Sequence, residues 1–121
     1  MISAEKYFVV LVTAPDLASA RDLGKRALNA KIVACANLIP GLESHYWWKG
    51  KIESSDEVLI LFKTMRAHLG QLEKLVRAHH PYETPEIVVV PLKQGSARYL
   101  DWISESLNRD HGTRQSMKKA R

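Results

Sequence analysis

The chain of 121 residues predicts an α+β fold, and three observations carry that prediction. Short β-branched runs alternate with stretches of helical periodicity. Their order is strand, helix, strand, strand, helix, strand, then a short closing helix. Two βαβ-like halves of similar length are joined through a hairpin. This is the pattern of a split-βαβ, ferredoxin-like sandwich with helices on one face of a four-stranded sheet. The length suits one domain, residues 1–107, followed by a basic tail, residues 108–121.

The elements follow in order. "YFVVLV" (residues 7–12) is short, β-branched and aromatic, a strand covered on both faces. "TAPD" ends it: Pro15 punctuates, Asp16 is a good N-cap, and Leu17, Ala20, Ala27 and Leu28 share one helical face, with Lys31 near the end. The first helix is therefore expected over residues 17–30. "KIVACANLI" is a second strand stopped by Pro40 and Gly41, and "SHYWWKGKIES" is a hairpin turning at residues 49–51. "EVLILFKT" (residues 57–64) is an apolar strand bounded by charges. In "RAHLGQLEKLVRAHH", Leu69, Leu72, Leu75, Val76 and His79 fall along one stripe of a second helix. "IVVVPL" is a fourth strand, its Pro91 marking a strand end or a sheet edge. Leu100, Ile103 and Leu107 set a third helix starting near Ser96 or Ala97.

Composition narrows the function classes. The formal charge is +5, but residues 108–121 hold five Lys or Arg against one Asp, so the body is nearly neutral. A basic tail of this kind is usually solvated and mobile, and nucleic acid is not expected as a partner. The single cysteine, Cys35, sits among apolar residues and cannot form an intrachain disulfide, which points to a reducing compartment. No apolar stretch approaches the ~20 residues of a membrane span. The expected location is cytoplasmic.

Adjacent Trp47 and Trp48 in a strand must point to opposite faces, and helices cover only one face of such a sheet. With runs as apolar as "VVLV", "VLILF" and "IVVV", the other face calls for self-association.

The segment "HHPYETPE" is the densest in candidate chemistry. His79 continues the apolar stripe of the second helix, while Pro81 forces His80 out of helical geometry. Neighbouring histidines diverge by about 100° in a helix and 180° in a strand, so they do not naturally share one ion. No CxxC, HExxH, GxSxG or Gly-rich phosphate loop is present. No catalytic residue is identified, and no obligatory cofactor is expected. A ligand site completed by another subunit stays open.

In "VTAPD", "VACANLIPGLESHYWWKGKI", "EVLILFKT", "HHPYETPEIVVVPL" and "YLDWI", in this order and spacing, the chain resembles the CutA family of divalent-cation tolerance proteins. The resemblance spans residues 7–107. It implies a cytoplasmic, ferredoxin-like, non-enzymatic homotrimer with sheets packed inward, similar in fold and assembly to P-II signalling proteins, whose ligands lie between subunits. Family links to copper and other divalent metals imply a response to metal ions. The copper-associated pattern of a cysteine before TAPD plus two histidines corresponds here to Val12, His79 and His80. The missing thiolate leaves an imidazole site for Cu(II) or Zn(II) at His79 and His80. For an intersubunit cleft the resemblance points to Trp48, Lys63, Tyr82 and Glu83, with His80 beside them, a set that suits a small anionic or metal-bound ligand. A P-II-like sensor of such an anion, or an adaptor trimer acting through the tail, is the alternative function.

Overall fold

The computed structural model describes residues 1–108. The tail predicted over residues 108–121 lies outside them, apart from Asn108. Six strands and three helices follow one another as β1 (Ile2–Ser3), β2 (Tyr7–Ala14), α1 (Leu17–Asn29), β3 (Cys35–Trp48), β4 (Lys51–Met65), α2 (Leu69–His79), β5 (Ile87–Pro91), β6 (Gln94–Gly95) and α3 (Ala97–Leu107). The main sheet runs β3-β4-β2-β5 and every neighbouring pair is antiparallel. The short β1 and β6 form a separate antiparallel ribbon. The architecture is α+β, as the alternation of periods predicted.

The two-residue period of the strands divides the sheet into two unlike faces. Val10, Val12 and Ala14 of β2 and Val58, Ile60 and Phe62 of β4 are buried against Ala20, Leu23 and Ala27 of α1 and Leu72 and Val76 of α2. Residues of the other parity meet α3 only at one end, where Tyr7 and Met65 pack with Leu100, Ile103 and Leu107. Away from α3 that face carries half-buried Val9, Leu11, Leu59 and Leu61 and exposed Ile39, Val88 and Val90. The strand predicted to be covered on both faces is thus covered fully on one.

Local chemistry sets most boundaries. Asp16 caps α1 by accepting the Ser19 amide at 2.7 Å, and this bond holds its carboxyl below the usual range. The buried stripe of α1 is Ala20, Leu23, Gly24 and Ala27, so Leu28, expected inside, faces solvent. Lys31 follows the helix in a left-handed conformation (φ 57°) instead of ending it. Ser96 caps α3 through the Tyr99 amide.

The largest departure is in the hairpin. Pro40 and Gly41 do not stop the second strand. They form a bulge between the Ile39–Leu59 and Leu42–Glu57 pairs, so β3 and β4 run on as strands of 14 and 15 residues. Gly41 permits this with φ 83°. The arm turns at Lys49 (φ 48°) and Gly50 (φ 79°), two positive-φ residues as a type I′ turn requires. Its tip extends past the helices, leaving Trp47 70% exposed.

Candidate ligand cavity

Where the hairpin arm leaves the sheet, it faces the turn that follows α2, and a cavity of about 630 Å³ lies between them. The turn is held in place by His80. Beyond the Val12–Ile87 pair the β5 ladder stops, and the buried His80 ring takes over, its Nε2 donating to the Thr13 carbonyl at 2.7 Å. Its Nδ1 accepts the Tyr82 amide at 2.9 Å, which fixes the proton on Nε2. The rings of His80 and Tyr82 lie 4.8 Å apart. The Tyr82 hydroxyl in turn donates to Glu57 Oε2 at 3.0 Å. A chain of contacts therefore runs from β2 through the turn to β4.

Glu57 is only 8% exposed, and the Tyr82 hydroxyl is its one hydrogen-bond partner; no ion pair reaches it among the described residues. Burial, the hydrogen bond to Glu57 and the charge of Glu57 push the Tyr82 phenol up to about 12, so it remains a protonated donor at neutral pH. Glu83 and Glu86 join Glu57 in the lining, Tyr46, Trp48 and Tyr82 supply aromatic walls, and among the described residues no Lys or Arg lines the cavity. His45, also in the wall, bonds Glu43 at 2.7 Å. The Lys49 ammonium at the turn stands 5.7 Å from the centroid of the Trp48 ring.

Of the cleft residues expected from sequence, Trp48, Tyr82 and Glu83 meet here and Lys63 does not. Lys63 lies six residues along β4 from Glu57, roughly 20 Å in an extended strand, and its ammonium sits 5.5 Å from the Tyr99 ring of α3. Without it the cavity is acidic, where the sequence suggested a cation for an anionic ligand. The sequence marks Glu57 only as a charge bounding an apolar strand, and no local signal announces its pairing with Tyr82, 25 residues away in sequence.

The two histidines separate. His79 is exposed on α2, off the apolar stripe assigned to it, whereas His80 is buried with both ring nitrogens engaged. A metal at His80 has to displace one of these bonds. Val12, at the position where the copper-associated pattern has cysteine, is fully buried in the core. Among the described residues, no three His, Cys, Asp or Glu side chains are grouped so as to hold a metal ion. The copper-associated set therefore does not assemble within one chain. Cys35 is buried, as its apolar neighbours suggested.

Comparison with known proteins agrees with the fold. The family model described as CutA1 divalent ion tolerance protein matches residues 8–106. The divalent-cation tolerance protein CutA of Escherichia coli is 48% identical over 99 residues, 82% of this chain and 88% of its own. CutA1 from Oryza sativa superposes with a TM-score of 0.83 at 36% identity, covering 88% of this chain and 98% of that one. A protein from Archaeoglobus fulgidus, named a periplasmic divalent cation tolerance protein CutA, gives a TM-score of 0.82 at 36% identity, covering 84% and 99%. The sheet order and helix placement described above are the ferredoxin-like fold that these relatives share, and the chain belongs to the CutA1 divalent ion tolerance protein family.

Proposed function

We propose that this protein serves divalent-cation tolerance as a non-enzymatic homotrimer, and that its acid-lined cavity is what draws cations. The observation carrying this reading is the charge of the lining: Glu57, Glu83 and Glu86, with no Lys or Arg among the described residues. Such a cavity concentrates positive ions at its mouth. Glu83 and Glu86 are exposed and suit a hydrated divalent ion retained through its water shell. Cu(II) and Zn(II) binding centred on His79 and His80 is the weaker form of this reading, because His80 is already bonded on both sides. The same charge disfavours the P-II-like alternative of an anionic ligand. Trimer formation is supported by the open sheet face, whose two edge strands leave Ile39 on one side and Val88 and Val90 on the other exposed. We place the protein in a reducing compartment on the strength of its lone Cys35. No helix among the described residues is long and apolar enough to cross a membrane.

The test is copper and zinc calorimetry with light scattering on one metal-free sample. A trimer with saturable binding, weakened several-fold in Glu83→Gln/Glu86→Gln and little changed in His79→Ala, is expected. A trimer that binds neither metal overturns the metal part of the reading, and a stable monomer overturns the assembly.

A further inference from the structure

The near-neutral charge of the body, from which no nucleic-acid partner is expected, is the sum of two unlike regions. Residues 17–31 and 69–79 carry six Lys or Arg against two acids, whereas the remainder of residues 1–107 carries seven against ten. The first group is the helical layer. With Ala20, Leu23 and Ala27 of α1 and Leu72 and Val76 of α2 packed on the sheet, Arg21, Lys25, Arg26, Lys74 and Arg77 are left exposed on the outer side. α1 starts and α2 ends beside the end of β2, where His80 reaches Thr13, so the two helices run in opposite directions. Arg21 and Arg77 therefore fall toward one end of the layer and exposed Lys31 at the other. Positive charge extends along the whole layer, roughly 20 Å for a helix of the length of α1.

Ordinary helix electrostatics does not produce this pattern. Beyond the Asp16 cap, neither helix has an acid in its first turn, where the dipole favours one. Arg21 and Lys25 stand four residues apart, a like-charge spacing that destabilises a helix. The two acids of the layer are each taken up by a neighbour on their own helix, Asp22 by Arg26 at 2.9 Å and Glu73 by Arg77 at 3.7 Å. Arg21, Lys25 and Lys74 have no ion pair among the described residues. Local rules broken at the expense of the fold mark places that serve a contact.

The make-up of the layer selects the partner. Neither helix contains Phe, Tyr or Trp, and Leu28 is the one large apolar residue exposed on them. A protein interface is built around aromatic and apolar residues, a membrane-surface helix inserts an apolar face, and a single-stranded nucleic acid stacks its bases on rings. A double helix needs none of these, because its bases are stacked inside and its outside is a regular array of phosphates contacted by Lys and Arg. The layer lies across the sheet from the open apolar face, so self-association through that face leaves it accessible.

We propose that the outer side of α1 and α2 binds the phosphate backbone of double-helical nucleic acid, without reading its sequence, through Arg21, Lys25 and Lys74. This surface is separate from the acidic cavity, and its role is independent of the cation reading.

The test is fluorescence anisotropy of a labelled duplex DNA of random sequence, titrated with the full chain over a salt series starting at about 50 mM. The parent is compared with Arg21→Gln/Lys25→Gln/Lys74→Gln and with a control of equal net charge off the layer, Lys6→Gln/Lys51→Gln/Lys93→Gln. All six residues are exposed, so a loss of binding reports the contact and not the fold. The layer variant is expected to bind about tenfold more weakly at the lowest salt, with its logarithmic salt slope reduced by about 1 for each contact removed. The control should stay close to the parent. Absence of duplex binding at the lowest salt overturns the proposal. Binding undiminished in the layer variant does so too, handing the contact to the basic residues of 109–121, as does equal weakening in the control, which reduces it to net charge. Tighter binding to single strands or to phosphatidylserine vesicles than to the duplex also overturns it.

Discussion

His80 joins three segments through two hydrogen bonds, to the Thr13 carbonyl and from the Tyr82 amide, while its neighbour His79 makes none of these contacts. Removing the ring leaves a buried carbonyl and an amide without partners, a loss of about 1–3 kcal/mol for each unsatisfied group. His80→Ala is therefore expected to lower unfolding free energy by about 2–6 kcal/mol in denaturant titration, by the same arithmetic. His79→Ala, on the exposed face, should stay within about 0.5 kcal/mol of the parent. Equal losses for the two would contradict the assignment. Tyr82 offers a second test through its titration. Its proton is held more tightly in the folded state, whose value of about 12 lies above the ordinary phenol value of 10.0. The stabilisation is full below pH 10, where folded and unfolded chains are both protonated, and it is lost as pH rises through about 12. Ultraviolet titration should show one tyrosine ionising well after the ordinary range, and Tyr82→Phe should abolish that late step.

At the scale of elements, the β3–β4 arm is the feature that distinguishes this sheet from a bare four-stranded sandwich. It is long because the Pro40–Gly41 bulge kinks the strand without ending it, and it reverses because Lys49 and Gly50 both accept positive φ. Lysine is a poor residue for that conformation. Lys49→Asn, creating an Asn-Gly turn, is expected to stabilise the chain by about 0.5–1 kcal/mol, and Gly50→Val to destabilise it by about 1–2 kcal/mol. Melting temperatures of the two variants should move in opposite directions from the parent. Both adjacent tryptophans lie on this arm and are exposed, with Trp48 lining the cavity and Trp47 paired with Ile52 on β4.

At the scale of the whole molecule, α1 and α2 close one face of the sheet while α3 covers only an end of the other. Across the uncovered remainder, Val9 and Leu11 of β2 lie between Val88 and Val90 of β5 and Leu61 of β4, an apolar surface on a sheet whose outer strand is itself exposed. Burying it against further copies removes this surface from water at about 25 cal/mol per Å². For the trimer proposed above, Val88→Glu and Val90→Glu are expected to shift the mass seen by light scattering from three chains to one, because a carboxylate on that face cannot be buried without a partner. The same change on Trp47, far out on the arm, tests whether the arm also takes part. Retention of the trimer in both valine variants would remove the sheet face from the interface.

Much was legible from the residues alone. The order of the four main strands and three helices, the Asp16 cap, the start of the third helix beside Ser96, the turn at residues 49–51 and the burial of Cys35 are decided by local periodicity, cap chemistry and apolar context, whereas the short β1–β6 ribbon carries no such signal. The family resemblance names Trp48, Tyr82 and Glu83 for a cleft between subunits, and within one chain the three line the same cavity. The tertiary structure alone decided the rest. It turned Pro40–Gly41 from a stop into a bulge, since only the partner strand shows where pairing resumes. It left His79 exposed, off the apolar stripe, and buried His80, since Pro81 frees the second ring from the helix and the end of β2 supplies its acceptor. It carried Lys63 to α3 and brought Glu57 to Tyr82, making the cavity acidic instead of cationic. The physical reason is common to all three: local structure depends on neighbours in sequence, whereas the sign of a site's charge depends on which distant segments the fold packs together.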